Sequence, residues 1–365
     1  MRFAHFAHVW GKPGMTPHQR YEQLWREIQL CDELGFDYAF SVEHHFTPQE
    51  SWMSSPNMYV AAAGARTKRI KLGAMGHVVP LHHPVRLVEE IALADQITNG
   101  RVELGLVPGI QDSYFKNFGA NFADRRAITQ EFARFMQHAY REGAAGRTVD
   151  WDGALIKVKD MDLSVWPVQK PWPPMWMETR DPPTLELCAE LGLHTGYFLL
   201  FPRQEAATRY APYLAGWKTN GHAGTPNIAY STVVYVDETD EKAIAKAKAD
   251  AGNAYKGFFS TGDDWDEIRK KQKETAAYFE VRGDKGAGEI ILNLLDPDYL
   301  IENDLVLIGS PETVANKLRR WSSEGMFNTF FGEFNFGNIP EEALMRSIRL
   351  FGEQVIPRLR DHEPF

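Results

Sequence analysis

Eight short apolar runs, nearly all followed by a helical pattern, constrain this chain more than any other feature. They are Arg2–Ala7, Asp37–Val42, Arg69–Ala74, Arg101–Val107, Pro174–Glu178, His194–Leu200, Asn227–Val236 and Phe327–Phe331. The intervening segments carry apolar residues at helical spacing, as at Leu24, Trp25, Ile28, Cys31 and Leu34. Thr16-Pro17, Ser55-Pro56, His83-Pro84 and Ser310-Pro311 have the cap-then-proline form that opens helices, and Gly35 and Asn99-Gly100 have the form that closes them. Regular βα alternation predicts a parallel sheet with right-handed crossovers. Eight such units without an obvious break predict an α/β fold, a single closed (β/α)₈ barrel over residues 1–365.

Two stretches exceed what a minimal barrel needs. The first, about 142–173, lies after the fourth strand, is rich in Trp and Pro, and suggests a small hairpin near Trp151–Lys159. The second, about 257–303, lies after the seventh strand and carries Asp263-Asp264, Lys270-Lys271 and a glycine-rich run, RGDKGAGE. Insertions of this length in a barrel are loops or lids near the chemistry, or solvated excursions.

Composition narrows the partners. There are 40 Lys+Arg against 49 Asp+Glu, a net charge of −9, which argues against a nucleic-acid partner. Cys31 and Cys188 lie far apart in helical patterns and read as buried thiols in a reducing compartment. The start, MRFAHFAHVW, lacks the pattern of a signal peptide, and no apolar stretch is long enough to span a bilayer. A soluble cytoplasmic protein without a membrane partner is expected.

Function in a barrel sits where the strands end. Seven of the 12 histidines follow the first three predicted strands: His5, His8, His44, His45, His77, His82 and His83. Such clustering points to a polar site. A metal-dependent hydrolase is one reading, but His5 and His8 are three residues apart and so face opposite sides of a strand. There is no GxGxxG after a strand and no P-loop, so no familiar nucleotide motif is present.

A second reading rests on longer matches. FDYAFSVEHHF, then MYVAAAGARTKRIKLGAMGHVVPLHHPVRLVEEIALADQITNGRVELGL, and later IGSPETVANKL and FNTFFGEFNFG, resemble the luciferase-like flavin-dependent monooxygenases. The resemblance implies reduced FMN bound at the C-terminal mouth of the barrel and supplied by a separate flavin reductase. Oxygen then adds to the flavin to give a C4a-peroxyflavin, which oxygenates an apolar organic substrate. MGHVVPLHHP leans toward the diketocamphane branch and a carbonyl substrate. The family's catalytic histidine falls on His44 of the EHHF motif, and His45 either shares that role or orients its neighbour. Met75 and Gly76 match the strand end that packs under the flavin ring, often through a non-proline cis peptide. Arg126, Arg180 and Thr184 match the phosphate and ring region, although Arg126 read alone is equally a helix-surface ion-pair residue.

The luciferase-type arginine after the fourth strand is replaced by Pro108, and Asp181-Pro182-Pro183 stands where small hydroxyl residues are usual. A deazaflavin-dependent hydride-transfer enzyme on the same barrel therefore remains an alternative. The alanine-rich face of Ala61, Ala62, Ala63 and Ala65 lies where the family dimerises, so a homodimer is expected.

Overall fold

A computed structural model describes residues 1–48, 50–259, 264–281 and 284–365. Asp263 of the acidic pair and Arg282-Gly283 of the glycine-rich run lie outside the described residues. The strands are β1 (Arg2–Ala7), β2 (Tyr38–Ser41), β3 (Lys71–Val78), β4 (Val102–Val107), β5 (Val149–Asp152), β6 (Lys157–Met161), β7 (Met175–Glu178), β8 (His194–Phe198), β9 (Ile228–Val236), β10 (Leu307–Gly309) and β11 (Thr329–Glu333).

The ring closes in the order β1-β2-β3-β4-β7-β8-β9-β11 and back to β1, with every pairing parallel. This is the expected (β/α)₈ barrel, and each of its eight strands overlaps one of the apolar runs. β10 is additional: three residues pair with the far end of β9, outside the ring. The first insertion holds the antiparallel hairpin β5–β6. The second folds its described residues into helices at Trp265–Val281, Lys285–Asn293 and Pro297–Glu302.

The helix Pro17–Glu33 starts with a complete capping box, Thr16 and Gln19 each bonding the other's backbone. The helix Pro84–Thr98 ends at Asn99 in the left-handed conformation. No helix among the described residues is long and apolar enough to cross a membrane.

Strand alternation decides which side chains enter the lumen. On β1, Phe3 and His5 point outward. Phe3 packs edge-on against Phe351 at 5.7 Å, and His5 bonds Glu27 of the first helix at 3.0 Å. Ala4 and Phe6 point inward. In the middle of the barrel the rings of Phe40, Trp176 and Phe331 meet at centroid distances of 4.8, 5.6 and 5.7 Å. Burying each such ring contributes about 2–3 kcal/mol. This aromatic plug divides the lumen into two polar ends, one at each rim.

Candidate active site

The C-terminal rim is assembled by the loop after β2, which is pinned to the end of β1. Trp52 N–H donates to Val9 O at 3.0 Å, His44 N–H donates to Met53 O at 2.9 Å, and the Ser51 hydroxyl donates to His8 O. Val9 and Phe46 both take φ of 59°, which turns the chain sharply just past each strand end. His8 and His44 are thereby brought ring to ring, with centroids 5.7 Å apart.

Each ring has one nitrogen facing a buried carboxylate. His8 Nδ1 lies 2.6 Å from Glu333 Oε2, and the other Glu333 oxygen accepts from His8 N–H and from Trp10 Nε1–H, each at 3.2 Å. Trp10 stacks on the His8 ring at 4.9 Å. Burial disfavours charge on His8, but Glu333 outweighs it and raises the imidazole pKa above its ordinary value. His44 Nδ1 stands 3.3 Å from Glu50 Oε2 and 3.3 Å from Tyr114 Oη. Burial would raise the Glu50 pKa, and the His44 imidazole beside it brings it below the usual carboxylate value.

A second cluster lies behind this pair. Glu43 accepts from His45 Nε2 at 3.0 Å, from His82 Nε2 at 2.9 Å and from Val78 N–H at 2.7 Å. Against the cost of burial, these partners hold the Glu43 pKa at about 2. His45 is 8% exposed, and its ring packs on Phe118 at 4.8 Å and on Tyr114 at 5.4 Å. His77 is bonded to Asn57 Oδ1 at 2.8 Å, and burial lowers its pKa to about 4. Among the described residues, no group of three or more His, Cys, Asp or Glu side chains is arranged to hold a metal ion.

The Met75–Gly76 peptide at the end of β3 is cis. A side chain at Gly76 could not be accommodated: its Cβ would stand 2.6 Å from the Gly105 carbonyl carbon and 2.9 Å from Leu106 N. β3 and β4 therefore approach closely at this point, with Met75 almost fully buried at the rim.

The family model described as luciferase-like monooxygenase matches residues 1–327. The chain belongs to that family. Among curated relatives, this luciferase-like chain is 26% identical over 368 residues to the alkanal monooxygenase alpha chain of Photobacterium leiognathi, covering 99% of each. Among solved structures, it superposes on the monooxygenase RslO1 from Streptomyces bottropensis with a TM-score of 0.79 at 22% identity, covering 98% of this chain and 99% of that one. The oxygenating constituent of 3,6-diketocamphane monooxygenase from Pseudomonas putida, in complex with FMN, gives 0.77 at 20% identity and 98% coverage of both. The coenzyme F420 dependent tetrahydromethanopterin reductase of Methanopyrus kandleri gives 0.70 at 20% identity, again with 98% of both chains covered.

The remaining residues singled out in the luciferase-like sequence differ in their partners. Arg126 is the second residue of the helix Arg125–Ala144, exposed and without a bonding partner among the described residues. Arg180 is instead committed to Asp284 and lies over the Phe201 ring. Thr184 donates from both its backbone N–H and its hydroxyl to Asp181, which caps the helix Pro182–Leu191. That helix end is occupied by its own carboxylate, so Arg180 and Thr184 are engaged within the protein.

Two acids escaped sequence reasoning. Glu50 lies in an irregular loop, where nothing in the pattern fixes its direction. Glu178 is the last residue of β7, an inward position of that strand beyond Trp176, and could have been found by extending the strand's alternation. Burial raises its pKa to about 7, with His8 pulling the other way.

Proposed function

We propose that this chain is an FMN-dependent monooxygenase. Reduced flavin, dioxygen and an apolar organic substrate, with carbonyl compounds the favoured class, meet at the C-terminal rim, and a separate reductase supplies the flavin. The observation that carries this reading is the pair His8 and His44. Each ring has one nitrogen turned to a carboxylate and its other edge left to give or take a proton.

The residues present suit a flavin. A planar, polar-edged ring needs an apolar face and imidazole partners, which Met75 with Gly76 and the histidine pair provide. Its phosphate needs an uncommitted cation near a helix start, which Arg126 provides. Bound reduced FMN would supply the electrons that activate dioxygen. His44, with Nδ1 turned toward Glu50 and Tyr114, moves the proton from its Nε2 edge. Glu333 fixes the His8 ring, so His8 presents Nε2 as well. Glu178, near neutrality, stores a proton close to His8. Trp10 and Phe258 pack against His8 and keep water from the pair.

The likeness to the F420-dependent reductase favours one competing reading, hydride transfer with a deazaflavin on the same barrel. Oxygen consumption decides between them. Reduced FMN should bind more tightly than oxidised FMN and drive substrate-dependent oxygen uptake. Turnover with a reduced deazaflavin and no oxygen uptake would overturn the monooxygenase reading.

The assembly proposed is a homodimer through the helices Pro56–Gly64 and Pro84–Thr98. They leave Met58, Leu93 and Ile97 exposed at 74%, 51% and 52% beside the alanine face.

A further inference from the structure

The alternation that carries His8 to one rim of the barrel carries Arg2 to the other. A cavity of about 530 Å³ opens at that N-terminal end, below the aromatic plug. Its lining includes Arg2, Asp37, Arg69, Lys71, Glu103 and His194. In a chain of net charge −9 this is a locally cationic hollow, because its two carboxylates are already served. Asp37 takes Arg360 Nη1 at 2.6 Å and Phe3 N–H at 2.8 Å. Glu103 takes Lys71 Nζ at 2.7 Å and Trp176 Nε1–H at 2.6 Å.

Arg2 and Arg69 have no carboxylate in salt-bridge contact among the described residues, although Asp32 lies near Arg69 and Glu103 near Arg2. Arg2 donates to the Asn227 side-chain oxygen, and Arg69 donates through Nη2 to the backbone carbonyls of Asp32 and Phe36 at 3.0 and 2.6 Å. These direct partners are neutral, so neither guanidinium is tied up in an ion pair. His194 adds a neutral donor. Its Nδ1 accepts from Asn227 N–H at 3.2 Å, so its own proton sits on Nε2. Burial first, then the nearby charges of Arg2 and Lys71, lower its pKa to about 3, which keeps the ring neutral.

We propose that the N-terminal mouth of the barrel is a binding site for a small oxyanion, a phosphate- or carboxylate-bearing metabolite, held by the guanidinium groups of Arg2 and Arg69 with Lys71 alongside. Guanidinium forks match the paired oxygens of both head groups. The site lies across the plug from the redox rim and does not depend on the flavin reading.

Calorimetric titration with inorganic phosphate and, separately, with succinate in a non-anionic buffer tests it and distinguishes the two head groups. Saturable binding of at least one probe at one site per chain is expected. The double variant Arg2→Gln, Arg69→Gln should bind it at least about tenfold more weakly, the loss expected for two charge-assisted hydrogen bonds. In the unaltered protein, the His194 ring resonances should shift with the same concentration dependence. No saturable binding of either probe, undiminished binding by the folded double variant, or silent His194 resonances at saturation would each overturn the proposal. The second of these would place the anion elsewhere, as at the opposite rim.

Discussion

Behind β1 lies a fully buried ionic cluster whose removal tests the electrostatic reading of the barrel. Glu27, on the first helix, takes His5 Nε2 at 3.0 Å, Arg20 Nη1 at 3.1 Å and Asn335 Nδ2–H at 2.6 Å, and Arg20, His5 and Glu27 are all 0% exposed. Burial alone would raise the carboxyl pKa, yet Arg20, followed by His5 and Asn335, brings it from 4.5 to about 2. A depressed carboxylate stabilises the folded chain above its unfolded pKa, and that stabilisation is lost as pH falls toward the folded value. A gap of about 2.5 units at 1.36 kcal/mol each is about 3 kcal/mol at pH 7. The same linkage leaves about 2.5 kcal/mol at pH 4 and about 1.5 kcal/mol at pH 3. Glu27→Gln keeps the shape and removes the charge. Urea denaturation at pH 7 should therefore show the variant less stable by about 3 kcal/mol, a midpoint lower by roughly 1 M for a slope near 3 kcal/mol/M. The gap should narrow on acidification, because protonated wild-type Glu27 then resembles the amide. Equal midpoints at pH 7, or a gap that does not change with pH, would refute the reasoning.

Four further outcomes are expected. His44→Ala should keep the circular-dichroism spectrum and reduced-FMN affinity while losing turnover by about 100-fold or more, the usual worth of a proton-transfer group; unchanged turnover removes His44 from the mechanism. Glu178 is protonated below about pH 7 and ionised above it, so kcat/KM should fall as pH rises through that value if it supplies a proton. Glu178→Gln should flatten that limb, and a limb that persists belongs to another group. Gly105→Ala would place a Cβ 2.0 Å from Ala74 O and 3.1 Å from Gly76 Cα, so thermal denaturation should show a loss near 3 kcal/mol, the upper range for overpacking. Sedimentation should show a dimer that Met58→Glu with Ile97→Glu dissociates, whereas a monomeric wild type excludes the proposed interface.

The barrel was legible because parallel strands buried on both faces read as uninterrupted apolar runs. β10 escaped because three residues, Leu307–Gly309, make no recognisable run and pair on one side only. The hairpin in the first insertion was half legible from its Trp and Lys pattern. Side-chain pairing was not legible at all. His8 and Glu333 are 325 positions apart, and only the closure of β11 onto β1 brings them together. Arg180 shows the same point from the other side. Its position after β7 matched a phosphate role, but Asp284, from a distant insertion with no strand periodicity, claims its charge.

Carboxylate partners sort the histidine cluster, and on the proposed reading His8 and His44 are the members left for chemistry. Glu27 draws His5 to the outside of the barrel, and Glu43 ties down His45 and His82 behind the rim. Once its Nε2 is spent on Glu43, the His45 ring lies under Phe118 and Tyr114, where its remaining nitrogen has little access to the rim. On the proposed reading it holds the loop that aims its neighbour. His44 and His8 differ: each turns Nδ1 to a carboxylate, Glu50 and Glu333 respectively, and their rings lie 5.7 Å apart. Two adjacent histidines in one short motif thus take different parts, because neighbouring residues at a strand end point to opposite sides. On the proposed reading, the imidazole beside His8 does the chemistry, and the one bonded to Glu43 positions it.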